Sequence, residues 1–216
     1  MTGNKQNNSD TREGSEFRFQ PIKPQPIDQL PPCGAHCPSG TNVRDWIAII
    51  AQRPLGEDEQ SSFTRAWNIL VEHNPFPATM GRICPHPCEA DCNRSDKDGA
   101  VAINSLERFI GDWAIAQNLS LPVLIKEAQP ESIGVIGAGP AGLSFAYQMS
   151  RRGYPVTVYD SHSQAGGMLR YGIPDYRLPP AVLDAELGRI LDLGVTFQRD
   201  YPSTSGGRSL SSHLLV

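Results

Sequence analysis

The chain has 216 residues, 39% hydrophobic and 19% charged, with 20 Gly and 19 Pro, a composition suited to one or two small domains with long irregular connections. A formal net charge of -4 supplies no positive field for nucleic acid or anionic lipid, so neither is an expected partner. No apolar run reaches the roughly 18 residues of a membrane span, and Met1 to Asp10 lacks the basic and apolar blocks of a secretion signal, which predicts a cytoplasmic protein.

Residues 1–30 are polar and then proline-rich, with Pro21, Pro24 and Pro26, and read as a flexible arm. Asn42 is placed to cap a helix on which Val43, Trp46, Ile47 and Ile50 share a face. Glu57, Asp58 and Glu59 open a second helix carrying Phe63, Trp67 and Leu70, which should stop near Asn74 and Pro75. A third helix follows the polar turn at 95–99 and aligns Ile103, Leu106, Ile110 and Trp113. The cysteines fall in the loops and short turns between these helices. Residues 119–131, with Pro122 and Pro130, read as a linker.

Beyond the linker the pattern becomes strand (132–136), glycine turn, helix (Pro140 to Arg152, ended by Gly153) and strand (156–159), a βαβ unit. A helix from Pro180 to Leu193 aligns Leu183, Leu187 and Ile190 and ends at Gly194 before a short strand at 195–197. From residue 199 a serine- and glycine-rich tail breaks the α/β pattern.

Gly137-Ala-Gly139-Pro140-Ala141-Gly142 sits between predicted strand and helix, and Asp160 ends the next strand 18 residues after Gly142. In a dinucleotide fold Gly137 permits the tight turn, Gly139 the approach of a pyrophosphate, and Gly142 close helix–strand packing. The helix N-terminus offers N–H groups to phosphate. Asp160 suits a ribose without a 2'-phosphate, so FAD or NAD fits better than NADP. A glycine turn without a ligand, and a strand-end acid that is merely solvated, are the plainer readings of the same residues.

All five cysteines lie between Cys33 and Cys92, in Cys33-Gly-Ala-His-Cys37-Pro38 and Cys84-Pro-His-Pro-Cys88-Glu-Ala-Asp-Cys92. An odd number confined to one stretch of a cytosolic chain points to metal rather than disulfides. Cysteines at three-residue gaps followed by proline suit an iron-sulfur cluster. Structural zinc, which favours two-residue gaps, and inert buried thiols remain open. His36 and His86 read as neighbours of such a site rather than ligands.

Together with Asn74 to Cys92 and Gly166-Gly167-Met-Leu-Arg170-Tyr-Gly-Ile-Pro174, these motifs resemble the small (beta) subunit of NADPH-dependent glutamate synthase and related FAD and iron-sulfur oxidoreductases, including the N-terminal part of dihydropyrimidine dehydrogenase. The likeness spans about residues 31–198. It implies an α-helical 4Fe-4S domain (31–118) and, after the linker, a partial Rossmann-like FAD-binding domain (132–198). It further implies that Cys37, Cys84, Cys88 and Glu107 serve one 4Fe-4S cluster. Cys33 and Cys92 would serve a second, incomplete one, because the family's additional cysteine pair upstream is absent. Gly166, Gly167 and Arg170 would contact FAD.

No second glycine motif occurs, so the family's NAD(P)H site is not expected in these residues, and independent activity is doubtful. No catalytic acid, base or nucleophile is assigned. The expected role is electron relay between NAD(P)H-reduced flavin and a larger redox partner. The alternatives are a non-enzymatic electron-transfer module or an inactive truncated fragment.

Overall fold

The computed structural model describes residues 30–52, 56 and 58–200. The arm at 1–29, Glu57 and the tail from 201 lie outside the described residues.

Six helices form the first unit: α1 (Pro32–Ala35), α2 (Val43–Ala51), α3 (Glu59–Val71), α4 (Pro77–Ile83), α5 (Pro87–Ala90) and α6 (Ile103–Ala116). Local chemistry sets their starts. The Asn42 side chain accepts the N–H of Asp45 ahead of α2, and Asp58 accepts that of Ser61 at 2.9 Å ahead of α3. Pro32, Pro77 and Pro87 occupy the first turns of α1, α4 and α5, where a missing N–H costs nothing. Residue Ala102, which precedes α6, has no capping side chain, and Glu89 reaches across from α5 to accept the N–H of Asn104 at 2.7 Å.

Trp46, Trp67, Leu70, Phe76 and Ile110 are buried in the centre of this unit. Leu106 and Trp113, expected on the same face as Ile110, are only half-buried. Helix α4 was not anticipated from the sequence. It lies directly on α6 through small residues: a Cβ on Gly111 would come within 2.3 Å of the Ala78 nitrogen, and one on Gly81 within 2.4 Å of the Arg108 Cα. Cys33 and Cys88 lie within the single-turn helices α1 and α5 rather than in loops, since each follows a proline that pre-sets helical φ.

The second unit is a three-stranded parallel sheet of order β1-β2-β3, from β1 (Ile133–Ile136), β2 (Val156–Tyr159) and β3 (Thr196–Gln198). Ile133 pairs with Val156 and Thr157 with Thr196. Helix α7 (Pro140–Ser150) crosses from β1 to β2 and buries Leu143, Ala146 and Tyr147. The short α8 (Met168–Tyr171) and then α9 (Pro180–Leu191) lead to β3. The segment at 119–131 has no helix or strand, yet it is tied down: Leu121 is buried, Leu124 and Ile125 donate to the Arg151 carbonyl, and Gln129 donates to that of Gly153.

The two units share a tight junction. The Tyr147 hydroxyl donates to the Val71 carbonyl at 2.7 Å, the Gln148 amide to that of Glu72, and the Arg189 guanidinium lies 5.5 Å from the centre of the Trp67 ring. No helix among the described residues is long and apolar enough to cross a membrane.

Candidate functional site

Three thiols and a carboxyl meet at one cavity. Cys37 follows α1, Cys84 ends α4, Cys88 lies in α5 and Glu107 on α6, and all four line a space of about 60 Å³. That volume exceeds what one water requires. Trp46, Asn74 and Asn104 complete much of the wall.

Each of these groups is held in place. The Cys84-Pro-His86 turn puts His86 in the left-handed region (φ 45°) and brings its N–H within 3.3 Å of the Cys84 sulfur, a bond that favours thiolate. The Asn74 amide donates to Glu107 Oε1 at 2.6 Å while its own oxygen accepts the Phe76 N–H. Asn104 donates to the Met80 carbonyl and so ties α6 to α4. His36 pairs with Asp91 at 3.2 Å, joining the two cysteine segments.

Electrostatics at the cavity favour protonated ligands. Burial, then the negative charge of Glu89 and the neighbouring Cys37 and Cys84, pushes the Cys88 thiol up to about 11. Burial also raises Cys84, against the opposing His86 N–H bond. Desolvation lifts Glu107 to about 7 despite the Asn74 bond.

The donor set fits a multi-atom cluster better than a single ion. Zinc at about 2.3 Å from each sulfur would draw its ligands onto one point, whereas an iron-sulfur cluster needs room between its thiolates. Here the thiols instead border a shared cavity. The indole nitrogen of Trp46 is buried in that region without an acceptor, a donor of the kind that tunes cluster sulfur. Cys33 and Cys92 do not line the cavity; they lie on and just after α1 and α5, which pack together, and both are half-buried free thiols.

The glycine loops form the second region. Gly137 has φ 99°, and a Cβ on Gly142 would fall 2.0 Å from the Gly137 carbonyl oxygen, so neither position admits a side chain without rearrangement. Gly166 donates to the Ala138 carbonyl at 2.8 Å, and a Cβ on Gly167 would lie 2.7 Å from the Gly139 Cα, so the two loops are stacked. Pro140 and Ala141 are exposed at the start of α7, which has no capping side chain. Met168, Tyr171 and Tyr176 are large exposed side chains in the segment that follows.

Asp160 and Arg170 are both engaged internally. Asp160 accepts the Ala138 N–H at 2.6 Å through one oxygen, and the His162 N–H and ring nitrogen, each at 2.8 Å, through the other. Burial opposes its ionisation, but the N–H groups of His162 and Ala138 outweigh that and hold the carboxyl below its usual range. The His162 ring stacks on Tyr171. Arg170 donates to the Ala165 carbonyl at 2.7 Å and pairs with Asp184, so it braces the loop from behind.

Comparison with known proteins agrees with this division. Residues 29–119 match the family model described as dihydropyrimidine dehydrogenase domain II, 4Fe-4S cluster, and residues 135–186 match that of a NAD(P)-binding Rossmann-like domain. The glutamate synthase [NADPH] small chain of Azospirillum brasilense is 36% identical over 185 residues, covering 84% of this chain and 36% of the relative. The chain is therefore similar to the glutamate synthase small chain and to related oxidoreductase subunits. The NADPH-Fe(3+) oxidoreductase subunit beta of Geobacter sulfurreducens is 34% identical over 76% of this chain and 24% of its own length. The NAD-dependent dihydropyrimidine dehydrogenase subunit PreT of Escherichia coli is 35% identical over 77% and 39%. The chain thus spans between 24% and 39% of the length of these relatives.

Sequence reasoning missed Trp46 and Asn74 as wall residues. Asn74 reads from the sequence as a helix stop and as the first residue of the Asn74 to Cys92 motif, with no role at the cavity. Trp46 was read as core, and it is core as well as wall.

Proposed function

We propose that the chain is the iron-sulfur and first dinucleotide-binding portion of an electron-transferring oxidoreductase subunit, which relays electrons between NAD(P)H-reduced flavin and an acceptor on a larger partner. Cys37, Cys84, Cys88 and Glu107 would hold one 4Fe-4S cluster. The convergence of these four side chains from four segments on one cavity is the observation that carries the reading. A second cluster on Cys33 and Cys92 would need ligands from elsewhere.

At the glycine loops the proposed occupant is FAD, with its pyrophosphate over Gly137 to Gly142 and at the start of α7, and its ribose beside Asp160. Gly166 and Gly167 would border it, and Arg170 would support that loop through Ala165 and Asp184. When bound, flavin and cluster together supply the conversion of two-electron hydride chemistry into single-electron transfer. The protein's share is to space the sites, exclude water around Glu107, and keep the thiols poised until metal displaces their protons. The Rossmann-like match favours NAD(P) as a second reading of the same loops, and Asp160 argues against a 2'-phosphate there.

Anaerobic reconstitution with iron and sulfide, followed by titration with FAD, NADH and NADPH, tests this. About four irons per chain, a visible chromophore bleached by dithionite, and FAD binding ahead of both nicotinamides are expected. Failure to take up iron overturns the cluster; tighter binding of NADPH than of FAD overturns the assignment of the loops.

A further inference from the structure

Glu186 stands out among the charged groups because its side chain is fully buried and bonds to neither region described above. It projects from α9 across the junction, where Oε1 accepts the Ala78 N–H at 2.7 Å and Oε2 the Thr79 N–H at 3.0 Å. These are first-turn amides of α4, whose preceding residue Phe76 provides no side-chain cap. A carboxylate from the Rossmann half therefore satisfies donors that the helical half leaves open.

Helix α4 has little freedom to absorb a change. It ends at Cys84, whose N–H bonds to the Met80 carbonyl. Its contact with α6 at Gly81 and Gly111 leaves no room for even a methyl group, and α6 carries Glu107. A displacement at Ala78 is thus transmitted to Cys84 and Glu107 together.

Two residues earlier on α9, Asp184 pairs with Arg170, which holds the Ala165 carbonyl next to Gly166 and Gly167. One helix thereby grips the loop at the glycine motif and the helix at the cysteine cavity. We propose that Glu186 is a positioning residue that seats the cysteine-bearing helix α4 on the Rossmann half, so that α9, through Glu186 and Asp184, sets the spacing between the two sites. This rests on the cluster and dinucleotide reading for its consequence, and on the two hydrogen bonds for its geometry.

The experiment uses the full chain with Glu186→Gln, Glu186→Asp and Asp184→Asn, reconstituted with iron and sulfide. Glutamine keeps one acceptor oxygen but turns an NH₂ toward the second backbone N–H, so Glu186→Gln should change the electron paramagnetic resonance line shape and midpoint potential of the reduced cluster. Its affinity for ADP-ribose should stay within about twofold of wild type, because binding differences at distant sites are nearly independent. Glu186→Asp, which keeps both oxygens, should restore the signature in part. Asp184→Asn should do the reverse, weakening ADP-ribose by about fivefold or more through the loss of a charge-assisted bond while leaving the cluster spectrum unchanged.

Hydrogen exchange at Ala78 and Thr79 is read in parallel on the iron-free protein, where Glu186→Gln should speed exchange at these amides. Unchanged exchange, or a wild-type spectrum and potential in Glu186→Gln, overturns the proposal. Wild-type protein that takes up no iron overturns the cluster reading instead, and the exchange data then decide the role of Glu186.

Discussion

At the scale of single residues, the free thiols define how the cavity responds to pH. With Cys88 near 11 and Cys84 raised, both would have to lose a proton to bind metal, so on the proposed reading iron uptake should release protons and tighten as pH rises from about 6 to about 8. Calorimetry of iron binding in buffers of different ionisation enthalpy measures that release, and Cys88→Ser should lower iron retention about tenfold or more.

Two acids act on stability in the opposite sense to ordinary surface carboxylates. Glu107 and Glu186, each lifted from 4.5 to about 7, bind protons more tightly in the folded chain than in the unfolded one. Their contribution is complete below 4.5 and is lost as pH rises through 7. The urea midpoint of the metal-free chain should therefore fall between about pH 5 and about pH 8, and the fall should be shallower in Glu186→Gln. At the glycine loops, Asp160→Asn removes a charged acceptor of the Ala138 N–H, and ADP-ribose should bind about 10-fold to 100-fold more weakly, as titration calorimetry would show.

At the scale of elements, the sequence made the long helices and the βαβ unit visible because each advertises itself locally. Asn42 and Asp58 do cap α2 and α3, and the strand, glycine turn and helix around Gly137 follow the expected order. Helix α4 was illegible for a physical reason. Pro77, Ala78, Thr79 and Gly81 are all buried, so no polar face marks a helical period, and two of its seven residues are poor helix formers. Its stability comes from Glu186 and from α6, neither of which is near in sequence.

Glu186 itself was equally hidden, since an acid beside Leu183, Leu187 and Ile190 reads as a boundary residue until its distant partners are known. The cysteine cavity was legible through the family pattern, whereas its Trp46 and Asn74 walls needed the fold. The α4–α6 crossing gives a direct test of the element-level account. Gly111→Ala should cost about 1–3 kcal/mol in urea denaturation, as overpacking of a close helix contact does. Gly188→Ala, where a Cβ meets nothing within 4 Å, should be neutral or slightly stabilising because it sits inside α9.

At the scale of the whole molecule, the side chains that cross the junction predict that the two halves behave as one cooperative body rather than as two linked domains. Glu186, Tyr147 and Arg189 all enter the helical unit from the Rossmann half, and all three partner groups are buried or helix-terminal. If the junction holds the halves together, neither should unfold alone. Loss of the sheet exposes Trp67 by removing Arg189, and loss of α3 strands the buried hydroxyl of Tyr147.

Tryptophan fluorescence reports the helical unit, since Trp46, Trp67 and Trp113 are all there, while near-ultraviolet signals from Tyr147, Tyr154 and Tyr159 report the other. The two should trace a single coincident transition in urea. Tyr147→Phe should lower the unfolding free energy by about 0.5–1.5 kcal/mol and keep the curves coincident. Glu186→Gln, which leaves one of the two buried backbone donors without an acceptor, should separate them, the helical unit melting first because α4 loses one of the two bonds that tie its first turn to α9.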